Sequence, residues 1–219
     1  MTDPVWLGRV PYGIALEMQR VRRDAVVDGA APEALWLLEH DPVYTTGRRG
    51  VDLDPGTLGA PLHRTERGGL TTWHGPGQLV GYVIADVGGR GGSVKGAIAA
   101  VEDGVIGWLR GQGIAAGRRD GYPGAWVGSD KVCAVGMHFR RGVSMHGFAL
   151  NLSPDLAWFD RIVPCGITDG GVTSVARIVG FSPAPADVWG NVGHFVRDSL
   201  AAHLTAAGGR LRSGGSAAP

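Results

Sequence analysis

Arg67-Gly68-Gly69-Leu70-Thr71-Thr72-Trp73-His74-Gly75-Pro76-Gly77-Gln78 sets four glycines and one proline inside an apolar stretch that would otherwise read as ordinary strand. Glycine lets backbone approach a ligand closely or take a positive φ, and Pro76 fixes one φ and removes a donor. The stretch from His74 to Gln78 therefore reads as a rigid turn presenting N–H groups. A tight hairpin corner with a hydrogen-bonded histidine fits the same residues, so the run has to be weighed with what surrounds it.

Around it the chain alternates irregularly between helical and strand patterns. Residues 11–27 predict a helix, with Pro11 at its start, Asp28-Gly29 closing it and apolar positions Ile14, Met18, Val21 and Ala25 at helical spacing. Residues 34–38 and 43–46 read as strands on either side of His40-Asp41-Pro42, and residues 79–87 as another. Residues 93–109 suit a helix capped by Ser93 and ended by Gly111 and Gly113, although Gly96, Gly104 and Gly107 work against it. From Ala125 a three-strand meander follows, turning at Gly128-Ser129-Asp130 and Arg140-Arg141-Gly142, with Lys131 opening the middle strand. Residues 155–162 predict a short helix, 172–178 a strand or turn, and 186–204 a closing amphipathic helix. The pattern is that of one α/β domain over residues 1–207, with a small polar tail over 208–219 expected to be disordered.

Composition limits the possible functions. A chain of 219 residues that is 44% hydrophobic can bury one substantial core. A net charge of +1 gives no bulk electrostatic reason to bind nucleic acid. The arginine pairs 22–23, 48–49, 118–119 and 140–141 read as solvated surface, one or two of them able to guide an acidic partner. Two cysteines are too few for a disulfide framework, and the start Met-Thr-Asp-Pro-Val-Trp lacks the regions of a signal peptide, so a reducing cytoplasm is expected. No apolar run approaches the roughly 18 residues of a spanning helix.

Further motifs follow the glycine-rich run in order: Ser129-Asp130-Lys131-Val132-Cys133-Ala134-Val135-Gly136, then His146-Gly147-Phe148-Ala149-Leu150-Asn151-Leu152 with Asp155-Leu156 and Phe159, then Val163-Pro164-Cys165-Gly166-Ile167. In this combination the chain resembles the lipoyl(octanoyl) transferase family over about residues 48–174. The resemblance implies a single mixed-sheet α/β domain with flanking helices, like the catalytic domain of biotin and lipoate protein ligases. It also implies transfer of an octanoyl group from octanoyl-acyl carrier protein to a lysine of lipoyl domains, those of 2-oxoacid dehydrogenase complexes and the glycine cleavage H protein. Cys165 and Lys131 would be catalytic. Substrate binding would map onto Arg67, Gly68, Gly69, Leu70, Thr71, Thr72, Trp73 and His74, onto Ala134, Val135 and Gly136, and onto Gly147, Phe148 and Ala149. No cofactor, metal, nucleic acid or membrane is expected.

The chemistry of these residues agrees. A thiolate exchanges one thioester for another at little energetic cost and leaves an acyl group still reactive toward an amine. A free thiol, with a pKa near ~8.5, needs a nearby cation or base to ionise. Lys131 can stabilise the thiolate as ammonium and, when neutral, accept a proton from the attacking amine. The chain has 19 arginines and only two lysines, and arginine cannot exchange a proton as lysine can. By itself, a cysteine between proline and glycine also fits a small buried hydrophobe. Cys133, two residues from Lys131 on a strand, is expected on the same face, where it is either a rival nucleophile or, as its place outside the Pro-Cys-Gly motif favours, a core packer lining the acyl pocket; a Cys133–Cys165 disulfide stays open. His74 and His146 are candidates for positioning the thiol or donating to the thioester, or are structural. Two other readings remain: an ATP-dependent ligase of the lipoate or biotin type, against which Cys165 argues, and a non-catalytic acyl- or carrier-binding module.

Overall fold

The computed structural model describes residues 1–50, 53–162 and 170–213, with side chains through residue 207. A six-stranded sheet carries the order β1-β2-β6-β9-β8-β7, formed by β1 (Pro4–Arg9), β2 (Ala34–Glu39), β6 (Gln78–Ile84), β7 (Gly124–Val127), β8 (Asp130–Arg140) and β9 (Val143–Asn151). Beside it, β3 (Val43–Thr46), β4 (Leu62–Arg64) and β5 (Thr71–His74) make a three-stranded sheet of order β4-β3-β5. Each sheet holds one parallel pair, β1 with β2 and β3 with β4, so both are mixed.

Alternation along the strands sorts side chains between two layers. Leu35, Leu37, Leu79, Val83 and Leu150 face α3 (Val94–Gly111) and α5 (Pro185–Ser213). Trp36, Leu38, Val80, Tyr82 and Ala149 face α1 (Tyr12–Val27). Burying each such large side chain contributes about 1.5–3 kcal/mol relative to leaving it in water. α5 supplies Val192, Val196, Leu200 and Leu204 at helical spacing, and its backbone continues to Ser213, into the tail expected from residue 208.

Ser93 caps α3 as expected, its hydroxyl accepting from the Gly96 N–H. Gly104 has a packing reason: a β-carbon there would lie 2.5 Å from the Cα of Val196, so only glycine lets α3 and α5 approach this closely. The meander and both of its turns form where the sequence puts them.

Two expectations need correction, and one strand was not foreseen. α1 does not bury Ile14 and Val21, which are 57% and 61% exposed. Its inward stripe is Tyr12, Ala15, Leu16, Gln19 and Arg23, in which Gln19 Oε1 accepts from the His146 N–H and Arg23 reaches the Met145 sulfur. Residues 172–178 are not a strand: Val172 makes an isolated bridge to Lys131, and Ser174 then caps a helix, α4 (Val175–Val179), by accepting from the Arg177 N–H. β1 has no clear alternating signal and is recruited as an edge strand by pairing with β2. Between β6 and the meander the predicted elements hold, and the 155–162 helix is a 3₁₀ helix (Leu156–Arg161) capped by Asp155.

Candidate active site

β8 opens with an irregularity that decides where its side chains go. Ala125 pairs with Cys133 and Trp126 with Lys131, so Val132 is an extra residue opposite β7. Such a bulge breaks strict alternation. Val132 and Cys133 both enter the core beneath α3, and Lys131 leaves it. Cys133 is therefore a core residue, as expected, but it does not line the acyl pocket, and burial pushes its thiol up to about 12, against a role as nucleophile.

The Lys131 side chain is 5% exposed; Nζ donates to the Pro123 carbonyl at 3.2 Å and sits 4.9 Å above the Trp126 ring. Its backbone holds the following segment: Lys131 N–H donates to Gly171 O at 2.9 Å, and Thr173 N–H donates to Lys131 O at 3.0 Å. Asp130 adds a carboxylate that accepts from the Gly171 N–H at 2.9 Å. Gly170–Thr173 is thus fastened to the strand that carries Lys131. Cys165, with Pro164 and Gly166, lies outside the described residues.

On the α1 side of the sheet, cross-strand pairing lines up Val80, Ala149 and Ala134 in one row and Tyr82, Gly147 and Gly136 in the next. Four small residues in adjacent positions leave a trough in the sheet surface, walled by Arg67, Gly68, Gly69, Thr72, His74 and Tyr12 and enclosing about 520 Å³ of empty space continuous with solvent. Of the expected substrate-binding residues, this trough brings together Arg67, Gly68, Gly69, Thr72, His74, Ala134, Val135, Gly136, Gly147, Phe148 and Ala149. Thr71 and Trp73 alternate to the other face of β5. Thr71 donates to the Thr46 hydroxyl at 3.0 Å, and Trp73 packs with Tyr44, Leu58 and Phe159. Leu70 does not line the trough either. Tyr12, Val80, Tyr82 and His146 complete the lining. Of these, only His146 stood out in the sequence, because the wall-forming stripe of α1 is the one its apolar residues do not mark.

A chain of buried polar groups joins the trough wall to the Lys131 strand. Asn151 Nδ2 donates to Thr173 O at 3.0 Å, and Gln78 Nε2 donates to Asn151 Oδ1 at 2.8 Å and to Trp73 O at 3.3 Å. The backbone carbonyls at Thr173 and Trp73 accept only, so both amide orientations are set and Gln78 Oε1 accepts from His74 Nδ1–H at 2.7 Å. His74 Nε2 is then the acceptor for the Thr45 hydroxyl at 3.2 Å, while Arg67 Nη2 donates to Thr45 O at 2.6 Å and Oγ1 at 2.9 Å. Gln78 and Asn151 carry this chain; the sequence shows them inside their motifs but without a role.

Burial keeps the trough histidines neutral. It lowers His74 to about 3, helped by the nearby His40; it lowers His40 to about 4 and His146 to about 3. His40 Nδ1–H donates to Val10 O at 2.6 Å and its Nε2 accepts from the Tyr82 hydroxyl at 2.7 Å. His74 is an oriented acceptor rather than an acid. Among the described residues no three His, Cys, Asp or Glu side chains converge as a metal site would need, and no helix is long and apolar enough to cross a membrane.

A mixed sheet with flanking helices matches the fold of the lipoate and biotin protein ligase catalytic domains. The crystal structure of lipoate-protein ligase A bound with ATP superposes with a TM-score of 0.61 at 20% identity, over 94% of this chain and 85% of that one. Biotin protein ligase from Aquifex aeolicus in complex with biotin and ATP gives 0.55 at 12% identity, over 92% and 71%. These likenesses are of fold. The model of the lipoyl protein ligase A/B catalytic domain matches residues 11–193. An octanoyltransferase of Clavibacter sepedonicus is 46% identical over 188 residues, 82% of this chain and 81% of the relative. One of Mycolicibacterium gilvum is 40% identical over 208 residues, 91% and 87%. The chain belongs to the lipoyl protein ligase A/B catalytic-domain family and, within it, to the octanoyltransferases, which are acyltransferases.

Proposed function

We propose that this protein moves an octanoyl group from acyl carrier protein to a lysine of a lipoyl domain, through a thioester on Cys165 with Lys131 as the acid and base. The observation that carries the reading is the trough floored by Ala134, Gly136, Gly147 and Ala149, small residues that open the sheet surface on the strand that also carries a buried lysine and on its neighbour. Covering the seven carbons beyond the octanoyl carbonyl contributes about 5–6 kcal/mol, at about 0.8 kcal/mol per carbon. Cys165 precedes Gly170 by five residues, and Gly171 and Thr173 are bonded to the Lys131 backbone, which supports a thiol within reach of Nζ.

In the first half-reaction the Cys165 thiolate attacks the carrier thioester, the bond from carbonyl to carrier sulfur breaks, and the carrier thiol leaves with a proton from the Lys131 ammonium. In the second, the acceptor amine attacks the Cys165 thioester, its proton passes to neutral Lys131, and the Cys165 thiolate departs as the amide forms. The acceptors on this reading are the lipoyl domains of 2-oxoacid dehydrogenase complexes and the glycine cleavage H protein. Intact-protein mass spectrometry after mixing with octanoyl-loaded carrier tests it. A hydroxylamine-labile adduct that survives Cys133→Ser and vanishes with Cys165→Ser is expected. Octanoyl transfer that requires free octanoate and ATP would overturn it in favour of a ligase.

A further inference from the structure

The far end of the trough, away from Lys131, is polar where a methyl terminus would need only apolar walls. α1 covers this end, and Gln19 follows Tyr12 on its inward stripe by two turns, about 10 Å along the helix. His146 stands beside the floor residue Gly147 and five residues along β9 from Asn151, about 17 Å at the strand rise. Its backbone sits at φ 61, a left-handed conformation uncommon for a residue with a β-carbon, and its N–H donates to Gln19 Oε1 at 2.9 Å. His146 lines the trough at 3% exposed and Gln19 is fully buried, yet Nε2 of each has no hydrogen-bond partner among the described residues. The Tyr82 hydroxyl oxygen lies close to the Gln19 amide without meeting it in hydrogen-bond geometry, and its own proton goes to His40. Two buried polar atoms left unpaired are costly, and apolar residues would fill the same space without that cost.

We propose that this end of the trough is a polar subsite that takes a hydroxyl on the last carbons of the acyl chain, so that the protein transfers terminally hydroxylated eight-carbon acyl groups as well as octanoyl. The proposal rests on the acyl-transfer reading above and adds a donor class to it. A hydroxyl both donates and accepts, so it can receive the Gln19 amide proton and pair with His146 Nε2 in either tautomer. An anionic terminus fits less well. His146 is held neutral by burial, and the Arg67 guanidinium is committed to Thr45 and to the Gly68 carbonyl.

The test is a competition in one tube, with octanoyl- and 8-hydroxyoctanoyl-loaded carrier offered together to the full-length protein and a lipoyl domain, and the two products counted by mass. The product ratio does not depend on how much enzyme is active. An apolar end would reject the hydroxylated chain by roughly ten- to a hundredfold, the effect of burying an unpaired hydroxyl. With the subsite, the wild-type ratio stays within about threefold of unity, and Gln19→Met and His146→Asn, the latter chosen because asparagine tolerates positive φ, each lower it about tenfold. Wild type that rejects the hydroxylated chain tenfold or more, or variants that leave the ratio unchanged, overturn the proposal. If wild type transfers neither chain, the acyl-transfer reading is what has failed.

Discussion

At Lys131 the surroundings separate two roles that a lysine can play. Nζ is over an indole and bonded to a carbonyl, an environment that holds a cation equally well as lysine or arginine, whereas only lysine can give up its proton. Lys131→Arg is therefore expected to lower the rate of transfer to the acceptor amine by about 10²-fold or more, within the range for losing a positioned acid or base. Single-turnover kinetics from pre-acylated enzyme measure this step alone, and an arginine variant within a few-fold of wild type would leave Lys131 with an electrostatic role only. Gln78 makes a different demand, because it joins His74 to Asn151 by both ends of one amide. Gln78→Leu strands His74 Nδ1–H and Asn151 Oδ1 in the interior, at about 1–3 kcal/mol for each unpaired group. Urea unfolding should show a loss of about 2–6 kcal/mol on that basis. A loss under 1 kcal/mol would mean that the amide chain is not a structural tie between the trough and the Lys131 strand.

At the scale of elements, the trough is a property of β8 and β9 acting together, since a single small residue would only pit the surface. Ala134→Leu places four heavy atoms' worth of side chain in place of a methyl, opposite Ala149, and should shorten the usable groove. Competition between butanoyl- and octanoyl-loaded carrier is expected to shift toward the shorter donor by about tenfold or more, the worth of roughly two buried methylenes. An unchanged ratio would place the chain elsewhere. The same two strands explain what could be read from sequence. The meander and its turns are local signals, whereas most of the trough's lining, Ala134, Gly136, Gly147 and Ala149 included, was named by the family resemblance, with which the small size of these residues agrees. The bulge at Val132 was not legible, because it exists only in the pairing with β7, and it moved Cys133 from the expected pocket to the core. The inward stripe of α1 was hidden for a related reason: Gln19 and Arg23 are buried against the His146 N–H and the Met145 sulfur of β9 and Tyr12 against histidine rings, while two of the four apolar positions, Ile14 and Val21, lie exposed.

For the molecule as a whole, the buried histidines make stability depend on acidity. His40, His74 and His146 lie at about 4, 3 and 3 in the folded state because burial penalises their charged forms, against about 6.5 when the chain is unfolded. Folded values below unfolded ones mean that the unfolded chain binds more protons once the pH drops under about 6.5, so each histidine's contribution is complete above that pH and is lost on acidification toward its folded value. Between pH 7 and 5 each should remove about 2 kcal/mol of stability, and the three together about 6 kcal/mol, a large part of the 5–15 kcal/mol typical of a domain. The decline should follow nearly three protons, a slope approaching 4 kcal/mol per pH unit near pH 5. His74 carries a second consequence: its Nε2 accepts from Thr45, so protonation there turns an acceptor into a donor beside Arg67 and breaks the chain from the trough wall toward Lys131. In the folded protein that protonation comes only near pH 3, so the loss of stability begins well before it, and His74 gives transfer by folded molecules no reason to fall between pH 7 and 5. Urea unfolding across pH 5 to 8, with a transfer assay at each pH, measures both. Stability that stays flat from pH 7 to 5 would show that these imidazoles already have access to solvent or to a proton acceptor in the folded protein.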